Sequence, residues 1–238
     1  MWVRGMALLL FFAAGWAAAT EVELEVGGTS LRYDMPAGYV RVSEESPALT
    51  QYLQAAMPPE NRLVEAFYTP ADIQTLLAGG GAVKDTYFMV QANRSLESHT
   101  VSASDWRSLL VQATAVMDKV DVNAQLAKDG ERNQRMSEAA GKPVRMELGK
   151  VAAPQVYVQT DNEARFVVFI PLTINVDGEP LTINAVCAGA MVLVANKPLM
   201  VYAYRASSTP ADIETAKQAL GSSVDALLAL NGSTQRSP

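Results

Sequence analysis

Residues 165–205 read RFVVFIPLTINVDGEPLTINAVCAGAMVLVANKPLMVYAYR, and the reading of this stretch decides the fold. β-Branched and aromatic side chains dominate it and alternate with small or polar ones, the period of a strand. Its turn signals fall at Asp177-Gly178-Glu179-Pro180 and around Asn196-Lys197. They divide it into an antiparallel meander of Arg165 to Val176, Leu181 to Ala195 and Leu199 to Arg205. Ala185 to Tyr204 is long enough to suggest a membrane-crossing helix, but Asn196-Lys197-Pro198 interrupts it, and we read it as a hairpin. A four-residue first turn sets Val176 against Leu181, hence Ile170 against Cys187 and Phe166 against Met191. The second turn sets Leu193 against Met200 and Gly189 against Tyr204. One face of the meander is then apolar from Phe166 to Tyr204.

Upstream, Trp106, Leu109, Leu110, Ala113, Met117, Val120, Ala124 and Ala127 recur at steps of three and four, predicting a long amphipathic helix from Ser104 to Ala127. The pattern then fades into Asp129 to Lys142, expected as a frayed helical extension or a mobile loop. Two further strands, Val144 to Val151 and Gln155 to Thr160, lead into the meander. Nearer the start, Val22 to Val26, Gly27-Gly28 and Ser30 to Asp34 predict a hairpin, with a short strand at Tyr39 to Val42. Ser46-Pro47 opens a short helix through Leu49, Tyr52, Leu53 and Ala56, and Arg62 to Tyr68 and Lys84 to Ala92 read as strands. The pentapeptide Thr-Pro-Ala-Asp-Ile occurs at 69–73 and at 209–213, a threonine cap, a first-turn proline and an acidic residue at the positive dipole end. We read the repeat as one good cap used twice rather than as a duplication. The second copy opens a closing helix with Ile213, Ala216, Leu220, Val224, Leu227 and Leu228 on one face.

Arg4 ahead of the apolar run Met6 to Ala19, ending Ala17-Ala18-Ala19, has the pattern of a cleaved secretory signal. The mature chain is then expected to begin at Thr20, as a single domain over 20–238 with a polar extension or loop at 128–143, in the periplasm or outside the cell. At fourteen residues the run falls short of the roughly 20 needed to span a bilayer, and no stable membrane span is expected in the mature chain. Of 238 residues 49% are hydrophobic, which excludes disorder, and a formal net charge of −6 with no basic stripe argues against a nucleic-acid partner. One cysteine excludes a disulfide framework and, with a single histidine, leaves too few ligands for a zinc site. No cofactor and no metal are expected.

The candidates for chemistry are few. His99, with Glu97 or Asp105 to orient it, is a weak candidate for a general base, but no G-x-S-x-G accompanies it and a solvated loop histidine is the simpler reading. Cys187 lies in an apolar strand, where a thiol is structural. Glu21, Glu23 and Glu25 alternate as an exposed strand face does, and no calcium loop is present. The glycines at 79–81 follow a helix instead of preceding one, so they are a stop and not a phosphate loop. Lys128 to Lys150 carries six basic residues against four acidic ones in an acidic chain; it reads first as a solvated helix end and second as a docking surface, with Arg132, Arg135 and Gly80 as partner-binding candidates. Asn93-Arg94-Ser95 and Asn231-Gly232-Ser233 match the glycosylation acceptor pattern.

The order of these elements, with the opening motif Leu31-Arg32-Tyr33-Asp34-Met35-Pro36-Ala37-Gly38-Tyr39, resembles the PsbP-like α/β/α sandwich over most of residues 21–231. The resemblance implies binding or assembly more often than catalysis, and no site residue is carried over from it. The expectation is therefore an α+β domain, a mainly antiparallel sheet flanked by a long central helix and a C-terminal helix. Its expected function is exported and non-catalytic, binding a protein or envelope component through Asp129 to Lys142 and the glycine loop. Two alternatives stand: a hydrolase using carboxylates or His99, and a binder of a small apolar ligand between sheet and helices.

Overall fold

A computed structural model describes residues 20–79, 83–117, 129–207 and 209–232. The leader at 1–19, Gly80 and Gly81, and Val120, Ala124 and Ala127, expected in the long helix, lie outside the described residues. In chain order, β1 (Thr20–Val26) and β2 (Thr29–Met35) form a hairpin, and β3 (Val40–Arg41) runs into α1 (Val42–Glu45) and α2 (Pro47–Ala56). Next come β4 (Asn61–Tyr68), α3 (Pro70–Leu77), β5 (Tyr87–Asn93), α4 (Ala103–Met117) and α5 (Asp129–Ala140). The chain continues through β6 (Val144–Leu148), β7 (Gln155–Gln159), β8 (Glu163–Val176), β9 (Glu179–Val194) and β10 (Lys197–Ala206) to α6 (Pro210–Gly232).

The strands pair antiparallel in the order β3-β4-β5-β10-β9-β8-β6, with β7 also on β8, while β1 and β2 stand apart as their own ribbon. Strand alternation sorts the side chains onto two faces, and both are covered. Phe88, Val90, Ala92, Leu199, Val201 and Ala203 point to one face and form a core with Leu24, Leu31 and Tyr33 of the hairpin and Ala216, Leu220 and Leu227 of α6. Their neighbours Tyr87, Met89, Tyr202 and Tyr204 point to the other, where they meet Leu49 of α2 and Ile73 of α3. Trp106 and Leu110 of α4 pack on Ala164 and Leu193 nearby. The fold is thus α+β, a mainly antiparallel sheet between helices.

A bulge in β4 between Leu63 and Glu65 lets both Leu63 and Ala66 reach the α2 side. Glu65, buried there, takes the Arg41 guanidinium at 2.8 Å and the Ser43 hydroxyl at 2.5 Å. Both copies of the Thr-Pro-Ala-Asp-Ile segment open helices, each threonine hydroxyl donating to its aspartate at 2.9 Å. The helices they start lie on opposite faces of the sheet, α3 with the tyrosines and α6 with the hairpin.

The meander has the expected strands in a different register. Both turns hold two residues, Asp177-Gly178 and Ala195-Asn196, each pair at positive φ, the geometry that matches strand twist. Val176 therefore faces Glu179, Ile170 faces Ala185, Phe166 faces Gly189 and Cys187 faces Val168. In the second hairpin Leu193 faces Pro198 and Gly189 faces Tyr202. The displacement is two residues in each case, so every side chain keeps its face and only its partner changes. Lys197, placed in a turn by the sequence reading, becomes the first residue of β10 and is buried. Its ammonium donates to the carbonyl oxygens of Gly27 (3.2 Å), Glu97 (2.9 Å) and His99 (3.2 Å), tying the first hairpin and the loop after β5 to the meander.

Other boundaries moved. The strand expected from Lys84 begins at Tyr87, the one expected to reach Val151 ends at Leu148, and Val42 starts a helical turn instead of ending a strand. Of the two readings of Asp129 to Lys142, helical extension or mobile loop, residues 129–140 are helical, and the helix is docked instead of frayed. Asn133 accepts the Met146 N–H at 2.9 Å and donates to the Met146 carbonyl at 3.3 Å, and one turn on Ser137 does the same for Val144, at 2.9 and 3.1 Å. These are the outward groups of β6, the edge strand beyond β8, so two polar side chains finish the sheet where another strand would otherwise pair. Met136, between them, is fully buried.

Candidate binding cleft

The structure does not bring the proposed catalytic residues together. Glu97 accepts from Arg62 Nε at 2.7 Å, while Asp105 accepts from the Ser102 hydroxyl at 2.7 Å as part of the cap of α4. His99 is exposed, its Nδ1 3.4 Å from the Ser98 hydroxyl. Among the described residues no hydrogen bond or ion pair joins the three. Cys187 is buried, and desolvation pushes its thiol up to about 12, as expected of a core residue. Glu21, Glu23 and Glu25 are exposed along one face of β1. Asn93 folds its side chain back onto Ser95, accepting from its N–H at 3.0 Å and its hydroxyl at 2.6 Å, in a tight turn after β5. Among the described residues no three His, Cys, Asp or Glu side chains are grouped to hold a metal, and no helix is long and apolar enough to cross a membrane.

Cavities open on the surface of the described residues. One, of about 340 Å³, lies between the Pro36-Tyr39 turn, Phe88 and α6 at Ser222 and Ser223. The larger, about 480 Å³, lies where α2, the start of β4, the turn at Arg94 and α5 meet. Its construction follows from local chemistry. Ser46 caps α2 by accepting the Leu49 N–H at 3.2 Å with Pro47 in the first turn, and Pro58-Pro59 ends it. Gln54 then laces the helix to β4, accepting the Leu63 N–H at 2.8 Å and donating to the Asn61 carbonyl at 3.1 Å. Ala55, Met57, Pro59 and Leu63 make an apolar floor, and Thr50, Gln51 and Gln54 a polar rim.

Two arginines complete the wall. Arg135 donates through Nε to the Ala55 carbonyl (3.3 Å) and through Nη2 to the Met57 carbonyl (3.1 Å), satisfying acceptors that the end of α2 leaves open and placing a cation at its negative pole. Arg94 is fixed through Nε to the Pro59 carbonyl at 3.2 Å. Each guanidinium is held by one edge. Nη1 of Arg135 and both Nη atoms of Arg94 have no protein acceptor among the described residues, and neither arginine forms an ion pair there. That sets them apart from Arg41, Arg62, Arg165 and Arg205, each matched to a carboxylate. Of the partner-binding candidates, Arg135 is therefore in the cleft, whereas Arg132 reaches the Met146 carbonyl at 3.3 Å and Gly80 lies outside the described residues. Arg94 was visible in the sequence only as the middle of a glycosylation pattern. No spacing signal links it to Arg135, because the fold alone makes them neighbours of one cavity.

Comparison with protein-family models and with curated proteins returns no match. Among solved structures the chain is similar to the Ran-binding protein Mog1p of Saccharomyces cerevisiae, at 13% identity over 88% of this chain and 95% of that one, TM-score 0.38. A Mog1 mutant is similar at 15% identity over 90% and 93%, TM-score 0.36. The cyanobacterial PsbP of Synechocystis sp. PCC 6803 is similar at 11% identity over 90% and 94%, TM-score 0.34.

Proposed function

We propose that this chain is a non-catalytic binding protein of the cell envelope, exported by its first nineteen residues, which receives a segment of a protein partner in the cleft between α2 and α5. The observation that supports this reading is the pair of arginines, anchored by backbone carbonyls and left with uncommitted donors above an apolar floor. Arg135, part-buried and held by two carbonyls, is a pre-ordered polar group beside apolar surface, and its ordering cost is met in folding and not on binding. Export rests on Arg4 and the small residues Ala17 to Ala19.

The test uses the full chain with a C-terminal tag in cells that carry it. The chain should fractionate with the envelope, begin at Thr20 on N-terminal sequencing, and co-purify one partner after crosslinking. Arg135→Glu should recover severalfold less of that partner. Cytoplasmic residence with the leader intact overturns export, and equal recovery by the variant overturns the cleft as the site. Deleting 129–142 is unsuitable, since it removes Met136 from the core and uncovers β6.

A further inference from the structure

Resting on that reading, we infer that the cleft recognises an acidic side chain, Asp or Glu, flanked by an apolar residue in an extended segment of the partner protein. The chain carries 25 acidic against 19 basic residues, so an arginine left without a carboxylate is unusual on its surface. Arg94 and Arg135 are both left so among the described residues, and both line the same cavity. Their free edges are N–H forks on planar cations, the geometry that suits a carboxylate. The carbonyls that anchor them, from Ala55, Met57 and Pro59, belong to the same α2–β4 corner that supplies the floor. A ligand touching the floor is therefore automatically within the arginines' surroundings.

The floor decides between classes of anion. Inorganic phosphate or a sugar phosphate would leave the half-buried Ala55 and the exposed Pro59 without an apolar partner, Met57 and Leu63 beneath them being already packed in the core, whereas a peptide offers an apolar side chain beside the carboxylate. The rim suits a peptide backbone as well: Gln51, exposed and with a side chain that makes no hydrogen bond among the described residues, presents both an amide donor and an acceptor. A depression of about 480 Å³ has room for the side chains of a few residues, which suits an extended segment.

The test is a binding assay with the full chain. An array of end-blocked hexapeptides carries a central Glu or Gln flanked by each pair of apolar residues, and the best are labelled with fluorescein and titrated by polarisation. The Glu peptide should bind at least tenfold tighter than its Gln counterpart and lose severalfold in affinity between low and high salt. Arg94→Gln and Arg135→Gln should each weaken it about tenfold. Because Arg135 also holds the end of α2, Gln51→Glu serves as a second variant that removes none of those bonds; it should weaken the Glu peptide about tenfold and the Gln peptide little. Equal binding of Glu and Gln peptides, or affinity unchanged in both Arg94→Gln and Gln51→Glu, overturns the inference. Arginine-dependent binding of octanoate with no peptide bound assigns the cleft to a free acid and overturns it equally. Failure here with a partner still lost in Arg135→Glu cells leaves the protein-binding reading standing and removes only the acidic segment.

Discussion

Replacing Lys197 with methionine removes the ammonium while keeping most of the stem that packs beneath it. The ammonium has three donors and the structure gives it three acceptors, the carbonyls of Gly27, Glu97 and His99 at 2.9–3.2 Å. A hydrogen bond to a charged group contributes about 1.5–3 kcal/mol, so the trio sums to about 4.5 kcal/mol at the lower figure. Against that stands the cost of holding a cation at 5% exposure, which the methionine no longer incurs. The expected net loss is about 3 kcal/mol. For a chain of this size that corresponds to a fall in Tm of about 6–12 °C and a lowered urea midpoint at unchanged slope. Amide exchange should rise at Gly27, Glu97 and His99 ahead of the rest of the sheet. Lys142→Met is the matched control, because its contact with Asp177 is 3.8 Å long and exposed, and its loss should stay below about 0.5 kcal/mol. If Lys197→Met is no more damaging than Lys142→Met, the ammonium does not hold the three segments together.

Further outcomes follow from single residues. Gly27 has φ +53° and a Cβ there would sit 1.7 Å from the Glu97 carbonyl oxygen, whereas Gly28, at φ +75°, has open space. Gly28→Ala should cost about 1 kcal/mol for its backbone, and Gly27→Ala clearly more, measured side by side by urea unfolding. Asn133→Ala strips β6 of two edge partners and should cost about 1–2 kcal/mol, with faster exchange at the Met146 amide; an unchanged amide would mean α5 is held otherwise. Burial raises the phenols of Tyr33 and Tyr68 above the ordinary tyrosine range and the Cys187 thiol to about 12. The unfolded chain therefore releases these protons first, so the stability is intact below pH about 9 and falls as pH rises beyond it. Phenolate absorbance from Tyr33 and Tyr68 should appear together with loss of near-UV circular dichroism. Their titration near pH 10 with the fold intact would contradict the burial.

Much of the sheet was legible because its information is local. β-Branched alternation marks strands at 165–205 whatever else is present, and the Thr-Pro-Ala-Asp-Ile caps specify two helix starts through their own hydrogen bonds. Register was misread because Asp177-Gly178 was folded into a four-residue turn, although that pair is itself a two-residue hairpin signal. The even displacement kept Cys187 in the core and moved Lys197 from a turn into a buried role that no local pattern signals. The docking of α5 escaped for another reason. Its attachment is hydrogen bonding by Asn133 and Ser137 to an edge strand, which hydrophobic periodicity does not register, and its one fully buried apolar residue is Met136. Of the cleft, Arg135 was visible as part of a basic segment. Arg94 was not, because its meaning lies in the carbonyl of Pro59 that orients it and in a carboxylate that the chain withholds.

The central claim is that a protein partner occupies the α2–α5 cleft. It is tested most directly by placing a photo-crosslinking amino acid at Gln51, on the rim, and in a second strain at Thr215, exposed on α6. Irradiation of living cells should give a single discrete adduct from position 51 and none from 215, and Arg94→Gln in the same chain should lower the adduct severalfold. Equal adducts from the two positions, or a position-51 adduct indifferent to Arg94, would contradict the account.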